Sequence, residues 1–311
     1  MKDFPNLNKQ KSFYISLFLA FAVLLIIVLL GVDIFLKKTI IKDKVYPSSL
    51  VVSTNLKFPV LKSNFIPQIS AQGAIIMDAD SKTVLFSKNP NLRFSPASTT
   101  KIMTALTALQ FFKPNDILTV KTATSDGSVI GLLQGERMTF QNLLYALLLP
   151  SANDAALAIS QNYPGGEKAF VAKMNENAKK FNLFNTHYED PAGLLDDGDY
   201  TTPVDLARLA SIAIKNPDFA KIVNTKTKTI SDIGGFNVYN LDNLNVLLGV
   251  DGVNGIKTGY TDEAGQVLVT SKVENGHTII IVVMLSQDRF SDTEKLLGLV
   301  SGNITYLPMR P

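Results

Sequence analysis

The 311-residue chain contains no cysteine. That excludes disulfides, thiolate nucleophiles and cysteine-ligated metals, and it fits a protein facing an oxidising or extracellular space. Its two histidines, His187 and His277, are too few for a multi-histidine metal centre. A basic body is also missing. The net charge is +3, but the first 44 residues carry seven Lys against three Asp, and that +4 leaves the remainder at −1. The body therefore lacks the electrostatic footprint of a nucleic-acid binder, and no nucleic-acid partner is expected. Internal repeats and low-complexity tracts are absent too. What the chain does have is apolar residues, 46% of the total, enough for a substantial core.

The apolar residues are unevenly spread. Phe13 to Leu36 reads FYISLFLAFAVLLIIVLLGVDIFL, 24 residues with a single charge at Asp33. As a helix this run would be about 36 Å long, enough to span a bilayer with some tilt. No small-x-small cleavage site is evident, so the run is expected to be an uncleaved anchor behind a cytoplasmic tail at residues 1–12. Lys2, Lys9 and Lys11 precede it, and Lys37, Lys38, Lys42 and Lys44 follow it, so charge does not orient it. Residues 37–67, with Pro47, Pro59 and Pro67, are expected to form an extended, partly ordered linker. A globular domain is expected over 68–305.

Within that domain, residues 73–78 and 83–87 read as paired strands. Thr139 is placed to cap a helix ending at Pro150, with a second helix over 155–161 and a third over 167–181. Thr202-Pro203-Val204-Asp205 opens another helix, with a capping hydroxyl, a proline at the first position and an acid in the first turn. Asn216-Pro217 is read as its stop. Strands resume after Thr225. Residues 266–273 and 278–285 flank Asn275-Gly276, a strong hairpin signal. Ser291 with Glu294 reads as a capping box for a final helix.

Three short motifs carry chemistry. Ser98-Thr99-Thr100-Lys101 lies where Pro96 introduces a run of helix formers. Residues three apart on a helix share a face, so the Ser98 hydroxyl and the Lys101 amine can meet. A serine is a weak nucleophile until a base takes its proton, and a lysine becomes a base when burial and a helix N-terminus disfavour its ammonium. Alone, such a serine and lysine are common by chance. Ser151-Ala152-Asn153 follows 53 residues after Ser98, and Lys257-Thr258-Gly259 follows 106 residues after Ser151.

Together and in this order, the three resemble the motif set of penicillin-binding proteins and β-lactamases. The segments GAIIMDADSKTVLFSKNPNLRFSPASTTKIMTAL, LLYALLLPSANDAA, NTHYEDPAGLLDDGDYTTPVDLARLA and GVNGIKTGYTDEAGQVLV resemble the serine D-alanyl-D-alanine carboxypeptidases, the low-molecular-weight penicillin-binding proteins of peptidase family S11. The resemblance covers about residues 72 to 300. It implies a mixed α/β (α+β) fold of the penicillin-binding-protein/β-lactamase-like kind: an antiparallel sheet flanked by helices, with an α-helical lobe. It implies an enzyme that removes the terminal D-alanine from peptidoglycan pentapeptide stems through an acyl-enzyme. β-Lactams would be covalent inhibitors, no cofactor or metal would be needed, and the domain would lie on the extracytoplasmic side of the membrane.

The resemblance also implies roles. Ser98 is the nucleophile, Lys101 its base and Ser151 a proton relay to the leaving D-alanine. Asn153 holds the substrate amide. Lys257 attracts the terminal carboxylate and helps keep Lys101 neutral, Thr258 hydrogen-bonds that carboxylate, and Gly259 admits the substrate close to the strand. The backbone N–H groups of Ser98 and Tyr260 form the oxyanion hole. Two departures stand out: Ala192-Gly193 and Tyr260 occupy positions where relatives often carry histidine. Arg289 is expected to make a salt bridge at a helix start rather than to bind substrate. His187 is expected to be structural and His277 solvent-exposed. A class A β-lactamase would need a carboxylate to activate water, with Glu189 the candidate. A non-catalytic penicillin receptor is the remaining alternative.

Overall fold

The computed structural model describes residues 17–32, 57–62, 65–195 and 198–308. The chain divides into two units, Met1–Thr54 and Asn55–Pro311. In the first, residues 17–32 form helix α1, whose apolar side chains are nearly all exposed. No helix among the described residues is long and apolar enough to cross a membrane. The two ends of the expected span, 13–16 and 33–36, lie outside the described residues.

The second unit is built on two strands that are apolar on both faces, which demands cover on both sides. The elements run β1 (Lys57–Leu61), β2 (Gly73–Asp78), β3 (Val84–Lys88), a 3-10 turn (Ala97–Thr100), α2 (Lys101–Leu109), β4 (Ile117–Thr119), β5 (Arg137–Thr139), α3 (Phe140–Leu148), α4 (Asn153–Asn162), α5 (Gly166–Lys180), α6 (Pro203–Ala213), α7 (Pro217–Val223), β6 (Thr227–Ser231), β7 (Val238–Asp242), β8 (Val253–Thr261), β9 (Gly265–Glu274), β10 (His277–Ser286), α8 (Arg289–Val300) and β11 (Ile304–Pro308). Five strands form one antiparallel sheet in the order β3-β2-β10-β9-β8. Alternate residues of β2 and β10 point opposite ways. Ile75, Met77, Ile280, Val282 and Met284 join the core under the helical lobe. Ala74, Ile76, Ile279, Ile281 and Val283 join a second core with Leu296, Leu297 and Val300 of α8. Residues 101–108 of α2 are all buried, so this helix is the lobe's axis.

Most expected elements form with small shifts. Thr139 and Thr202 cap α3 and α6 through their hydroxyls, and Asn275 and Gly276 turn the β9–β10 hairpin with left-handed backbones. Three expectations are corrected. Asn216-Pro217 does not merely stop α6. Asn216 caps α7 by accepting from the N–H groups of Asp218 and Phe219, and Pro217 is its first residue. The final helix begins at Arg289, capped by Asp288, which accepts from Phe290 and Ser291, so the Ser291–Glu294 pair falls inside the helix. Lys57–Leu61, expected within the linker, is a strand paired antiparallel with Ile304–Pro308.

Candidate active site

Pro96 leads into a 3-10 turn, and α2 continues directly from it. At three residues per turn, i and i+3 eclipse, so the turn sets Ser98 and Lys101 side by side more closely than an α-helix would. Lys101 Nζ lies 2.9 Å from Ser98 Oγ, 2.7 Å from Asn153 Oδ1 and 2.8 Å from the Ala192 carbonyl oxygen. A neutral amine has two N–H groups and one lone pair. The two carbonyl oxygens can only accept, so they take both N–H groups, and the lone pair is left facing the Ser98 hydroxyl. The arrangement therefore aims a base at the serine whenever the amine is neutral. Lys101 is fully buried, and burial pushes it down to about 7 against the opposing charges of Asp190 and Asp154.

Both acceptors are held from behind. Asn153, at the start of α4, donates through Nδ2 to the Asp126 carbonyl at 2.7 Å. Asp190 is buried and accepts from four successive backbone N–H groups, Ala192 to Leu195, at 2.5 to 2.9 Å. That carboxylate folds the 190–195 loop so that Ala192 presents its carbonyl to Lys101. Gly193 has φ +78°, and a Cβ there would fall on the Ala97 carbonyl oxygen, so the loop can approach the serine turn only with glycine. Asp154 similarly accepts from Ile130, Gly131 and Leu132, fixing the opposite wall.

A cleft of about 320 Å³ opens above Ser98. Ser151, Asn153, Thr258, Gly259 and Tyr260 line it, as expected of site residues, and so do Ser128, Leu194, Leu244 and Arg289. Ser151 has φ +68°, and its buried hydroxyl has no hydrogen-bond partner among the described residues. Gly259 lies on β8 against the serine turn; a Cβ there would meet Pro96 O at 3.2 Å and Ser98 N at 3.3 Å. Lys257 is buried behind the cleft wall and donates to the Thr258 carbonyl at 2.9 Å. Burial, then Lys101 and Arg289, hold it well below the ordinary lysine range. The two buried amines disfavour each other's charge.

These features are those of a family fold. The D-alanyl-D-alanine carboxypeptidase family model matches residues 61–288. The chain belongs to the D-alanyl-D-alanine carboxypeptidase family. It is 36% identical over 254 residues to the D-alanyl-D-alanine carboxypeptidase of Streptomyces sp. strain K15, covering 75% of this chain and 87% of that one. It is 34% identical over 220 residues to Bacillus subtilis DacF, covering 68% of this chain and 57% of DacF. Against Escherichia coli DacA it is 33% identical over 252 residues, covering 75% of this chain and 61% of DacA. The chain thus spans little more than half the length of these last two relatives. The crystal structure of the Streptomyces K15 DD-transpeptidase superposes with a TM-score of 0.72 at 34% identity, covering 76% of this chain and 98% of that one.

Within this carboxypeptidase-family fold, two further expectations change. Arg289 is expected to pair with an acid at the helix start. Instead its guanidinium donates to the Gly259 carbonyl at 2.9 Å and lines the cleft. His277 is half-buried, its ring stacked on Tyr306 with centroids 3.6 Å apart, rather than solvent-exposed. Glu189 is not among the cleft-lining residues; its carboxylate meets His187 Nε2 at 2.8 Å at the surface. Asp190 was not singled out from the sequence, although Asp-Pro-x-Gly is a loop signal in which an acid commonly accepts from following N–H groups.

Proposed function

We propose that this family member is a serine D-alanyl-D-alanine carboxypeptidase acting on peptidoglycan pentapeptide stems, sensitive to penicillin and held to the cytoplasmic membrane by its N-terminal helix. The observation that carries the activity is the setting of Lys101: buried, displaced toward neutrality, and with its N–H groups committed to Asn153 and Ala192. As Ser98 Oγ attacks the carbonyl of the penultimate D-alanine, its proton passes to Lys101 Nζ. The N–H groups of Ser98 and Tyr260 receive the oxyanion. Ser151 carries a proton to the departing D-alanine amine, and an acyl-enzyme remains. Water then enters by the same route in reverse.

Substrate positioning falls to the far wall. Thr258 and Arg289 meet the terminal carboxylate, and that negative charge draws Lys257, buried behind them, back toward its charged form. Asn153 also orients the substrate amide. The surface pairing of Glu189 with His187 supports a carboxypeptidase over a β-lactamase, because it leaves the bulky penicilloyl group without the carboxylate the alternative requires. The anchor reading rests on the 24-residue apolar run and on the exposed apolar side chains of α1.

The test is mass spectrometry of a synthetic stem pentapeptide incubated with the full-length protein in detergent. Release of one D-alanine, lost in Ser98→Ala together with the covalent penicillin adduct, is the expected result. Undiminished release by Ser98→Ala would remove Ser98 as nucleophile.

A further inference from the structure

The edge of the sheet farthest from the catalytic cleft carries an apolar surface that the chemistry above does not use. β3 closes that edge, and β8, which lines the cleft, closes the other. Beside β3 lies a groove of about 420 Å³, formed by β1, β3, the segment after β1 and the end of α8. Every residue that lines it is apolar. Its inner side is continuous with the second core, against which Leu61, Leu85 and Phe86 pack. Its outer side chains are largely in solvent: Phe65 is 68% exposed, Ile66 69%, and Val60 and Val84 46% each. Two successive large apolar side chains so exposed, beside an apolar groove, mark a contact surface.

Charge and the course of the chain decide what covers it. The segments around the groove, residues 57–62, 65–72, 84–88 and 304–308, carry Lys57, Lys62 and Lys88 and no Asp or Glu. Lys62 and Lys88 donate to the backbone carbonyls of Gly302 and Ile69, which leave the charge in place. Apolar side chains flanked by lysines match a lipid surface, where hydrocarbon takes the apolar groups and anionic headgroups the ammoniums. β1 is also the first strand after the apolar N-terminal run. The 20 residues 37–56 lie between them and can span at most about 70 Å. An anchored chain therefore ties one wall of the groove to a bilayer. Resting on the anchor proposed above, we infer that this face docks on the lipid surface, with Phe65 and Ile66 entering the acyl-chain boundary and Lys57, Lys62 and Lys88 meeting anionic headgroups. β8 lies four strand spacings from β3, about 19 Å at roughly 4.8 Å each. Docking by the β3 edge holds the cleft clear of the headgroups and open to substrate from the side away from the membrane.

The chain has no tryptophan, so a single introduced one reports without background. Three full-length variants, each confirmed by uptake of fluorescent penicillin, are reconstituted into vesicles of phosphatidylglycerol and phosphatidylcholine, with plain or brominated acyl chains. Phe65→Trp should show blue-shifted emission that the brominated chains quench, and the quenching should weaken in vesicles of phosphatidylcholine alone. Phe236→Trp, at an 89% exposed position on the β6–β7 turn, should keep a water-like, unquenched emission. Leu25→Trp, within α1, reports on the anchor and should be quenched in both lipids. Water-like emission from Phe65→Trp while Leu25→Trp is quenched would overturn the docking face and leave the anchor standing. A blue shift at Phe65→Trp without quenching would put protein there, a second copy included, and overturn the lipid. Equal quenching of Phe65→Trp and Phe236→Trp would mean that the body meets the bilayer without a preferred face, which also overturns the inference. An unquenched Leu25→Trp would remove the anchor, and the docking with it.

Discussion

Acylation by a β-lactam should follow the titration of Lys101. An ordinary lysine near neutrality holds fewer than about one molecule in a thousand in the neutral form. Burial against Asp190 and Asp154 brings Lys101 to about 7. At that value about 90% is neutral at roughly pH 8 and about 1% at roughly pH 5. Only the neutral amine can take the Ser98 proton, so the second-order rate of acylation should be flat above about pH 8. It should fall roughly tenfold per unit once the pH drops well below the pKa. The assay is stopped-flow or quenched labelling with a fluorescent penicillin, at saturating buffer and constant ionic strength, from about pH 5 to about pH 9. Lys101→Ala should lose the acid limb along with about 10² to 10⁴ in rate, since both come from the same atom. A wild-type rate independent of pH over this range, or one still climbing steeply between about pH 8 and about pH 9, would refute the reasoning. Either result would mean that the base is not a lysine brought near neutrality by burial.

Three other outcomes are expected. Gly193→Ala forces a left-handed alanine, at about 1–2 kcal/mol, and drives a methyl into the Ala97 carbonyl; penicillin labelling should slow by more than about tenfold while the far-UV spectrum holds. Removing residues 55–61 unpairs β11 and should lower the thermal midpoint by about 5 °C, with penicillin labelling retained; an unchanged midpoint would show that the ladder adds no stability. Glu189→Gln should leave the lifetime of the penicilloyl adduct within about twofold of wild type by intact-protein mass spectrometry, because its carboxylate pairs with His187 at the surface; a trapped adduct would restore the β-lactamase alternative.

What could be read in advance follows the range of the interactions involved. Ser98 and Lys101 were legible because a turn brings i and i+3 together whatever surrounds them. Asn275-Gly276 was legible because a tight hairpin needs two left-handed residues. Thr202-Pro203 and Asn216-Pro217 carry the same local signature, yet one was read as a start and the other as a stop. The difference lies downstream, where Phe219, Ile222 and Val223 find a core to enter, and that depends on tertiary packing. Ser291 and Asp288 compete as caps for one helix, and the winner is set by where β10 releases the chain. Arg289 reaches a carbonyl 30 residues away, a distance closed only by the register of β8, β9 and β10. Asp190 was hidden for another reason: its effect on Lys101 passes through a backbone carbonyl, which no residue type announces.

The pairing of β1 with β11 has a mechanical consequence. Lys57 pairs with Pro308 and Leu61 with Ile304, so the chain arriving from the N-terminal side enters the ladder at the end remote from the body. A pull on Lys57 is opposed where β11 joins the body, at Ile304, so it acts on opposite ends of the two strands and shears the five pairs together instead of opening them one by one. Ser70 and Ala71, whose N–H groups donate to Asp292 at 2.9 and 2.7 Å, tie the chain a second time beyond the ladder. Any load entering from the N-terminal side is thus met by two successive ties before it reaches β2.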